Sequence, residues 1–173
     1  HVQQFSVVGQ YGTHIDAPIH FVEGGRWLEE IELKDLFLPL VVIDKSKEVA
    51  ENPDFILGKQ DILDFEEGHG QIDSGTFVAF RSDWSKRWPS QSAMRNLDAQ
   101  EIQHTPGWGR DALEFLIHER GVKAVGHETF DTDAGVPTSE HGLLNEYYLL
   151  EQDIYQLEVM TNLDQLPAKG ALI

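Results

Sequence analysis

Three short apolar runs do most to restrict the fold: residues 38–44 (Leu-Pro-Leu-Val-Val-Ile-Asp), 75–80 (Gly-Thr-Phe-Val-Ala-Phe) and 122–126 (Val-Lys-Ala-Val-Gly). Each is too short for a stable helix, rich in β-branched or aromatic residues and bounded by turn formers, the pattern of a strand buried in a sheet core. Between the second and third lies the strongest helical pattern, residues 110–120. There Leu113, Leu116 and Ile117 share one face, Phe115 widens it, and Gly121 stands where the helix must stop. Strand, helix, strand predicts a βαβ crossover and an α/β fold. Further expected elements are a helix over 60–67 stopped by Gly68, a helix starting at Asp98, a helix over 143–150 and an alternating strand over 154–160. Residues 1–8 and 170–173 also read as strands. Residues 128–142 read as irregular, with Asp131 and Asp133 in turn chemistry. No repeat or linker divides the 173 residues, so one domain is expected.

Charge and composition narrow the partners. Thirty acidic against 13 basic residues leave a formal charge of −17, and no cluster of Lys and Arg offers a phosphate footprint, which argues against nucleic acid. No apolar run approaches the roughly 18–20 residues of a spanning helix, so a membrane is not an expected partner. The absence of cysteine removes disulfides, zinc ribbons and thiol nucleophiles. The expectation is a cytoplasmic domain that handles a small-molecule substrate.

Chemistry concentrates in Gln10-Tyr11-Gly12-Thr13-His14-Ile15-Asp16-Ala17-Pro18-Ile19-His20-Phe21. Pro18 pushes the residue before it out of the α region, so His14 to Ala17 is expected to be extended. Alternate side chains of an extended chain share a face, which puts the His14 imidazole beside the Asp16 carboxylate. Nitrogen and oxygen together suit zinc, manganese or iron. His20 follows the Pro18 bend and is placed to hang over such an ion. On spacing alone, a hydrogen-bonded surface pair remains the alternative.

The run Gly12-Thr13-His14-Ile15-Asp16-Ala17-Pro18-Ile19-His20-Phe21 resembles the signature of the cyclase superfamily of metal-dependent hydrolases, which includes bacterial kynurenine formamidase and isatin hydrolase. Its pattern reads His-x-Gly-Thr-His-x-Asp-x-Pro-x-His. Gly75-Thr76-Phe77-Val78 with Trp84, Pro106-Gly107-Trp108, Asp131-Thr132-Asp133 and Gln156-Leu157-Glu158 agree in order. The resemblance implies a single domain of the swivelling β/β/α type over residues 1–173, with a mixed sheet and flanking helices. It further implies that an N-terminal segment and a final C-terminal strand are missing. Carried over by position, the metal histidine and aspartate fall on His14 and Asp16, the general acid/base on His20 and the late metal glutamate on Glu158. Two positions depart. Gln10 replaces the first histidine of the pattern, and Glu146, twelve residues before Glu158, replaces the second-metal histidine; His141 lies near but out of register. Oxygen thus replaces nitrogen twice, which favours one divalent ion, manganese before zinc, with a second metal left open.

The resemblance implies hydrolysis of a non-peptide carbon–nitrogen bond, in a formamide or cyclic amide, by metal-activated water with His20 as the proton carrier. Trp84 and Phe21 are the candidate pocket walls, Arg81 or Arg87 the candidate partner of a substrate carboxylate, and residues 129–145 a candidate lid or subunit contact. A homodimer or homotetramer is implied. The competing reading is an inactive small-molecule or metal-binding protein on the same fold, and retention of His20 is the feature that separates the two.

Overall fold

The structure, a computed structural model, describes residues 2–173. Its strands are β1 (His14–Asp16), β2 (Pro39–Asp44), β3 (Ile56–Leu57), β4 (Phe77–Arg81), β5 (Gly107–Trp108), β6 (Ala124–His127), β7 (Tyr155–Glu158) and β8 (Lys169–Leu172). Its α-helices are α1 (Ser46–Glu51), α2 (Lys59–His69), α3 (Gln91–Arg95), α4 (Arg110–Glu114, continued by a wider turn through Phe115–Arg120), α5 (Gly135–His141) and α6 (Leu144–Glu151). Six strands form one sheet in the order β1-β7-β6-β4-β2-β8. The central β7, β6, β4 and β2 run parallel, while β1 and β8 close the edges antiparallel. The mixed sheet with flanking helices is the expected one, and β4, α4 and β6 form the expected crossover between adjacent parallel strands.

Both faces of the sheet are buried, which is why its strands read as continuous apolar runs rather than as alternation. Val41, Ile43, Val78, Phe80 and Val125 face a core completed by Ile62 of α2, Leu113 of α4 and Leu149 of α6. Leu40, Val42, Phe77, Ala79 and Ala124 face a second core under Ile31, Leu38 and Leu163. Full burial of each such large side chain contributes about 1.5–3 kcal/mol. Gly126 has no room for a side chain, since a Cβ there would meet Met160 Sδ and the Phe77 ring. Gly121 ends the helix at φ +64°, in the left-handed conformation expected of that stop.

Several local expectations are corrected. Residues 2–8 form no strand: Val2, Phe5 and Val7 are exposed, and β propensity without a sheet edge to pair against does not make a ladder. Asp98 caps a turn, not a helix. Its Oδ1 accepts the backbone N–H groups of Gln100 and Ile102, Glu101 takes φ +62°, and Leu97 and Gln103 bridge across the turn. The helix expected to stop at Gly68 runs on to His69 and ends at Gly70, φ +78°. The first part of residues 129–145 is packed rather than irregular: Thr129, Thr132, Asp133, Ala134 and Gly135 are buried, and α5 occupies Gly135–His141.

One polar latch ties two helices together. Arg120 donates through Nε and Nη2 to both oxygens of Glu66 (2.7 and 2.8 Å), and Glu66 Oε1 also accepts the Ile72 N–H (2.9 Å). The Arg120 guanidinium beside Glu66 holds its carboxyl below the usual carboxylate range. A carboxyl depressed by folding stabilises fully above its unfolded pKa and loses that contribution as pH falls through the folded value. Glu66→Gln is therefore expected to lower the unfolding free energy by about 1.5–3 kcal/mol at neutral pH. The difference should shrink as pH is taken below the carboxylate range, as read by denaturant unfolding of both proteins. An equal loss across that whole range would remove the ion pair from this role.

Candidate metal centre

The site lies where β6 and β7 end and β1 begins, the carboxyl end of parallel strands where α/β proteins place ligands. The register of β1 on β7 sets His14 opposite Glu158 and Asp16 opposite Gln156. His14 Nε2 is 3.6 Å from Asp16 Oδ2 and 3.4 Å from Glu158 Oε2. His14 Nδ1 lies 2.9 Å from the Gly12 carbonyl oxygen. A carbonyl only accepts, so Nδ1 donates to it, and Nε2 is the ring atom left to face the carboxylates. Gly12 reaches this geometry at φ +89°, a conformation that side chains disfavour. The donor atoms of His14, Asp16 and Glu158 all lie within 4.8 Å of one another.

A second cluster shares Asp16. Donor atoms of Asp16, His20 and Glu146 also fall within 4.8 Å of one another, with His20 Nε2 3.9 Å from Asp16 Oδ1. Glu146 is buried at the start of α6, and its Oε2 has no hydrogen-bond partner. Asp133 sets it there by accepting the backbone N–H groups of Asn145 and Glu146 at 2.9–3.0 Å. His141, the other candidate, is exposed and pairs with Glu140. Gln10 is exposed on the wall of a cavity of about 420 Å3 that His14, Asp16, Ile19, His20 and Trp27 also line. Phe21 sets its ring edge-on to His20, with centroids 5.0 Å apart.

Trp84 is in the core, not on that cavity. It is 1% exposed, donates Nε1–H to the Met94 carbonyl (2.9 Å) and carries the Arg87 guanidinium over its ring. Its position after a strand end was read as a pocket wall, but the turn at Asp83 (φ 58°) folds the indole inward. Arg81 is committed to Asp44 and Asp83. Three residues shape the site from below; sequence reading picks out His127, at the end of a strand, but neither Gln156 nor Thr132. Gln156, Thr132 and His127 are all buried, and His127 Nε2 lies 3.4 Å from Glu158 Oε1. Buried Glu128 accepts from Ser82 N, Trp84 N and Ser85 Oγ, fixing the turn after β4. Of Gln156 and Thr132, Gln156 left a legible signal: Gln156-Leu157-Glu158 repeats the two-residue spacing of His14-Ile15-Asp16.

The electrostatics call for a cation. Hydrogen bonding to Glu158 raises His14 to about 9 against the opposing effect of burial. Burial, then the Glu158 charge, pushes Asp16 up; burial followed by Glu158, Asp131 and Asp16 pushes Glu146 to about 9. Burial and Glu158 lift Asp131 to about 6. Burial also works to raise Glu158, but the His127 and His14 rings, each 3.4 Å from one of its oxygens, outweigh it and leave the carboxyl below its usual range. Buried carboxylates with an unpartnered oxygen and an oriented imidazole fit a divalent ion of hard to borderline character. Asp16→Ala is expected to abolish binding of such an ion, measured as metal content after dialysis and by calorimetric titration with Mn2+. Wild-type occupancy in that variant would exclude the cluster.

Comparison with known proteins places the chain among its relatives. Residues 1–134 match the family described as "Putative cyclase". Isatin hydrolase of Roseibium aggregatum is 36% identical, over 96% of this chain and 65% of its own. Isatin hydrolase A of Ralstonia solanacearum is 37% identical with a TM-score of 0.90, over 98% of this chain and 66% of the other. An isatin hydrolase bound to the product analogue thioisatinate is 36% identical with a TM-score of 0.87, over 96% of this chain and 65% of the other. The chain therefore spans about two thirds of the length of these relatives. The family match and the relatives converge, and the chain belongs to the cyclase family.

Proposed function

We propose that this chain is the metal-binding domain of a hydrolase that opens a non-peptide carbon–nitrogen bond, first in a cyclic amide such as isatin and second in a formamide. The observation that carries the reading is the convergence of His14, Asp16 and Glu158 with His20 beside Asp16, where His14, Asp16 and His20 line one cavity. The relatives named for isatin hydrolysis support the substrate class.

His14, Asp16 and Glu158 would hold the ion, and Gln10 would add an amide oxygen from the cavity wall. An oxygen-rich donor set supports manganese before zinc, and Glu146 supports a second ion on the Asp16 and His20 side. When bound, such an ion polarises the substrate carbonyl and acidifies water. His20, 38% exposed at its side chain, is open to the cavity while Asp16 stands 3.9 Å from its Nε2. It takes a proton from the attacking water as the carbon–oxygen bond forms, and returns it to the nitrogen as the carbon–nitrogen bond breaks. That return is what an amide requires, because an amine leaves poorly as an anion. Phe21 packs on the His20 ring and limits its rotation. Trp27, 56% exposed and on the same cavity wall, supplies apolar surface for a flat substrate.

The same proposal includes a cytoplasmic location and a homodimer or homotetramer; exposed Phe5, Val7 and Tyr11 support self-association. Among the described residues no helix is long and apolar enough to cross a membrane.

The test is hydrolysis of isatin and of N-formylkynurenine by purified protein, with and without chelator. Turnover that stops with chelator and returns with Mn2+ is expected, and metal binding without turnover on either substrate would identify a binding protein on the same fold. His20→Ala is expected to keep its metal and lose about 10²–10⁴-fold in kcat. Loss of metal in that variant would make His20 a ligand.

A further inference from the structure

The pairing of β1 with β7 aligns four polar side chains, and the metal reading uses three of them. His14 faces Glu158, Asp16 faces Gln156, and the two-residue spacing on each strand turns all four to one face of the sheet. Gln156 has no exposed surface. Its Nε2 lies 3.3 Å from Asp16 Oδ2 and 3.0 Å from Glu158 Oε1. One amide nitrogen therefore donates one hydrogen to each of the two carboxylates. The Oε1 of the same amide points away and accepts from the hydroxyl of Thr132, which is also fully buried.

The orientation is forced. Turned over, the carboxamide would set its oxygen against two carboxylates, which offer only lone pairs, and would turn both N–H groups away from them. In the observed orientation every polar atom of the amide is satisfied, and Thr132 supplies the partner without which Oε1 would be buried and unpaired. Glu158 Oε1 is then occupied by Gln156, while its Oε2 faces His14 Nε2 at 3.4 Å. The two carboxylates, which would otherwise repel at this range, are joined through a common donor.

We propose that Gln156 is a positioning residue of the metal centre, with Thr132 as the group that fixes its amide: it holds Asp16 and Glu158 at a set separation before an ion arrives and does not itself bind the ion. This inference rests on the metal reading of His14, Asp16 and Glu158. Its physical content is preorganisation. Partners behind metal ligands typically govern affinity by 10–100-fold, because ligands held in place need no ordering on binding.

The test measures the Mn2+ dissociation constant by calorimetry on chelator-stripped protein, with the circular dichroism spectrum and Tm of the same metal-free samples. Gln156→Leu removes both donors at similar volume, Thr132→Val removes only the hydroxyl, and Thr132→Ser puts it back. Gln156→Leu is expected to weaken Mn2+ binding by roughly 10–100-fold. Thr132→Val should weaken it in the same direction with a native spectrum, and Thr132→Ser should return it to the wild-type value. A wild-type Kd in folded Thr132→Val overturns the inference, whatever Gln156→Leu does, and Gln156→Glu binding Mn2+ more tightly than wild type would make the position a ligand. Asp16→Ala separates this failure from failure of the metal reading. If Asp16→Ala loses Mn2+ while Thr132→Val keeps it, the centre stands and only the positioning role falls; if Asp16→Ala also keeps it, the centre itself falls.

Discussion

The register of one three-residue edge strand governs the site. Strand side chains alternate, so sliding β1 by a single residue along β7 would send His14 and Asp16 to the opposite face and bring Ile15 forward. Several contacts oppose that slip. Ile15 and Leu157, directly paired, lie against the second apolar core. Thr13 Oγ1 donates to the Val159 carbonyl at 2.7 Å, just beyond the paired segment. Pro18 and the short helical turn Pro18–His20 then stop the strand and bring His20 back toward Asp16. The far end of β7 is held as firmly. Val159 takes φ +52°, a conformation that a β-branched residue rarely adopts, while its N–H is bound by Thr129 O and the next N–H by His127 O. Strain adjacent to Glu158 thus accompanies the turn that ends the strand at the ligand.

Within that frame, charge opposes folding and explains the chemistry. Asp16, Glu146 and Glu158 are each less than a tenth exposed, and water is not there to screen them. The metal-free protein manages them by three means: a raised proton affinity on Asp16 and Glu146, a raised one on His14, and a hydrogen bond donated by Gln156 to Glu158, with the His127 ring 3.4 Å from the same carboxylate. A divalent cation relieves the same repulsion in one event. The residues that make the pocket unfavourable when empty are therefore those that give it affinity.

The parts of this arrangement that local pattern dictates were legible in the sequence, and the rest was not. Runs 38–44, 75–80 and 122–126 became β2, β4 and β6 because strands buried on both faces carry their signal in every residue. His14 and Asp16 share a face because Pro18 forces extension before it. Failures came where tertiary partners decide. Residues 2–8 have strand composition but no edge to pair with. Asp98 has the capping chemistry of a helix start, yet the bridge between Leu97 and Gln103 closes a turn there instead. Residues 129–135 are polar and irregular in pattern, and most of them are buried because their polar groups have specific partners, such as Asp133 with the amides of Asn145 and Glu146 in the first turn of α6. Trp84 was assigned to the wrong environment for a similar reason: only the Met94 carbonyl and the stacked Arg87 show that its indole is internal. The resemblance contributed Glu158 and Glu146, which no local pattern singles out.

The division of the site between elements bears on what each part can do. His14, Asp16, Gln156 and Glu158 sit on two paired strands, whose backbone hydrogen bonds leave little freedom to shift a donor atom. His20 ends a single helical turn and is the most exposed of the group, and Glu146 lies in the first turn of a helix of eight residues. Groups that must stay at fixed separation around a small ion are on the rigid pair. The group that must meet first a water and then a departing nitrogen is on the looser turn, steadied by the Phe21 ring rather than by a hydrogen bond. Rigidity is thus concentrated where affinity is set by geometry, and play is kept where a proton must travel between two atoms that are not in the same place.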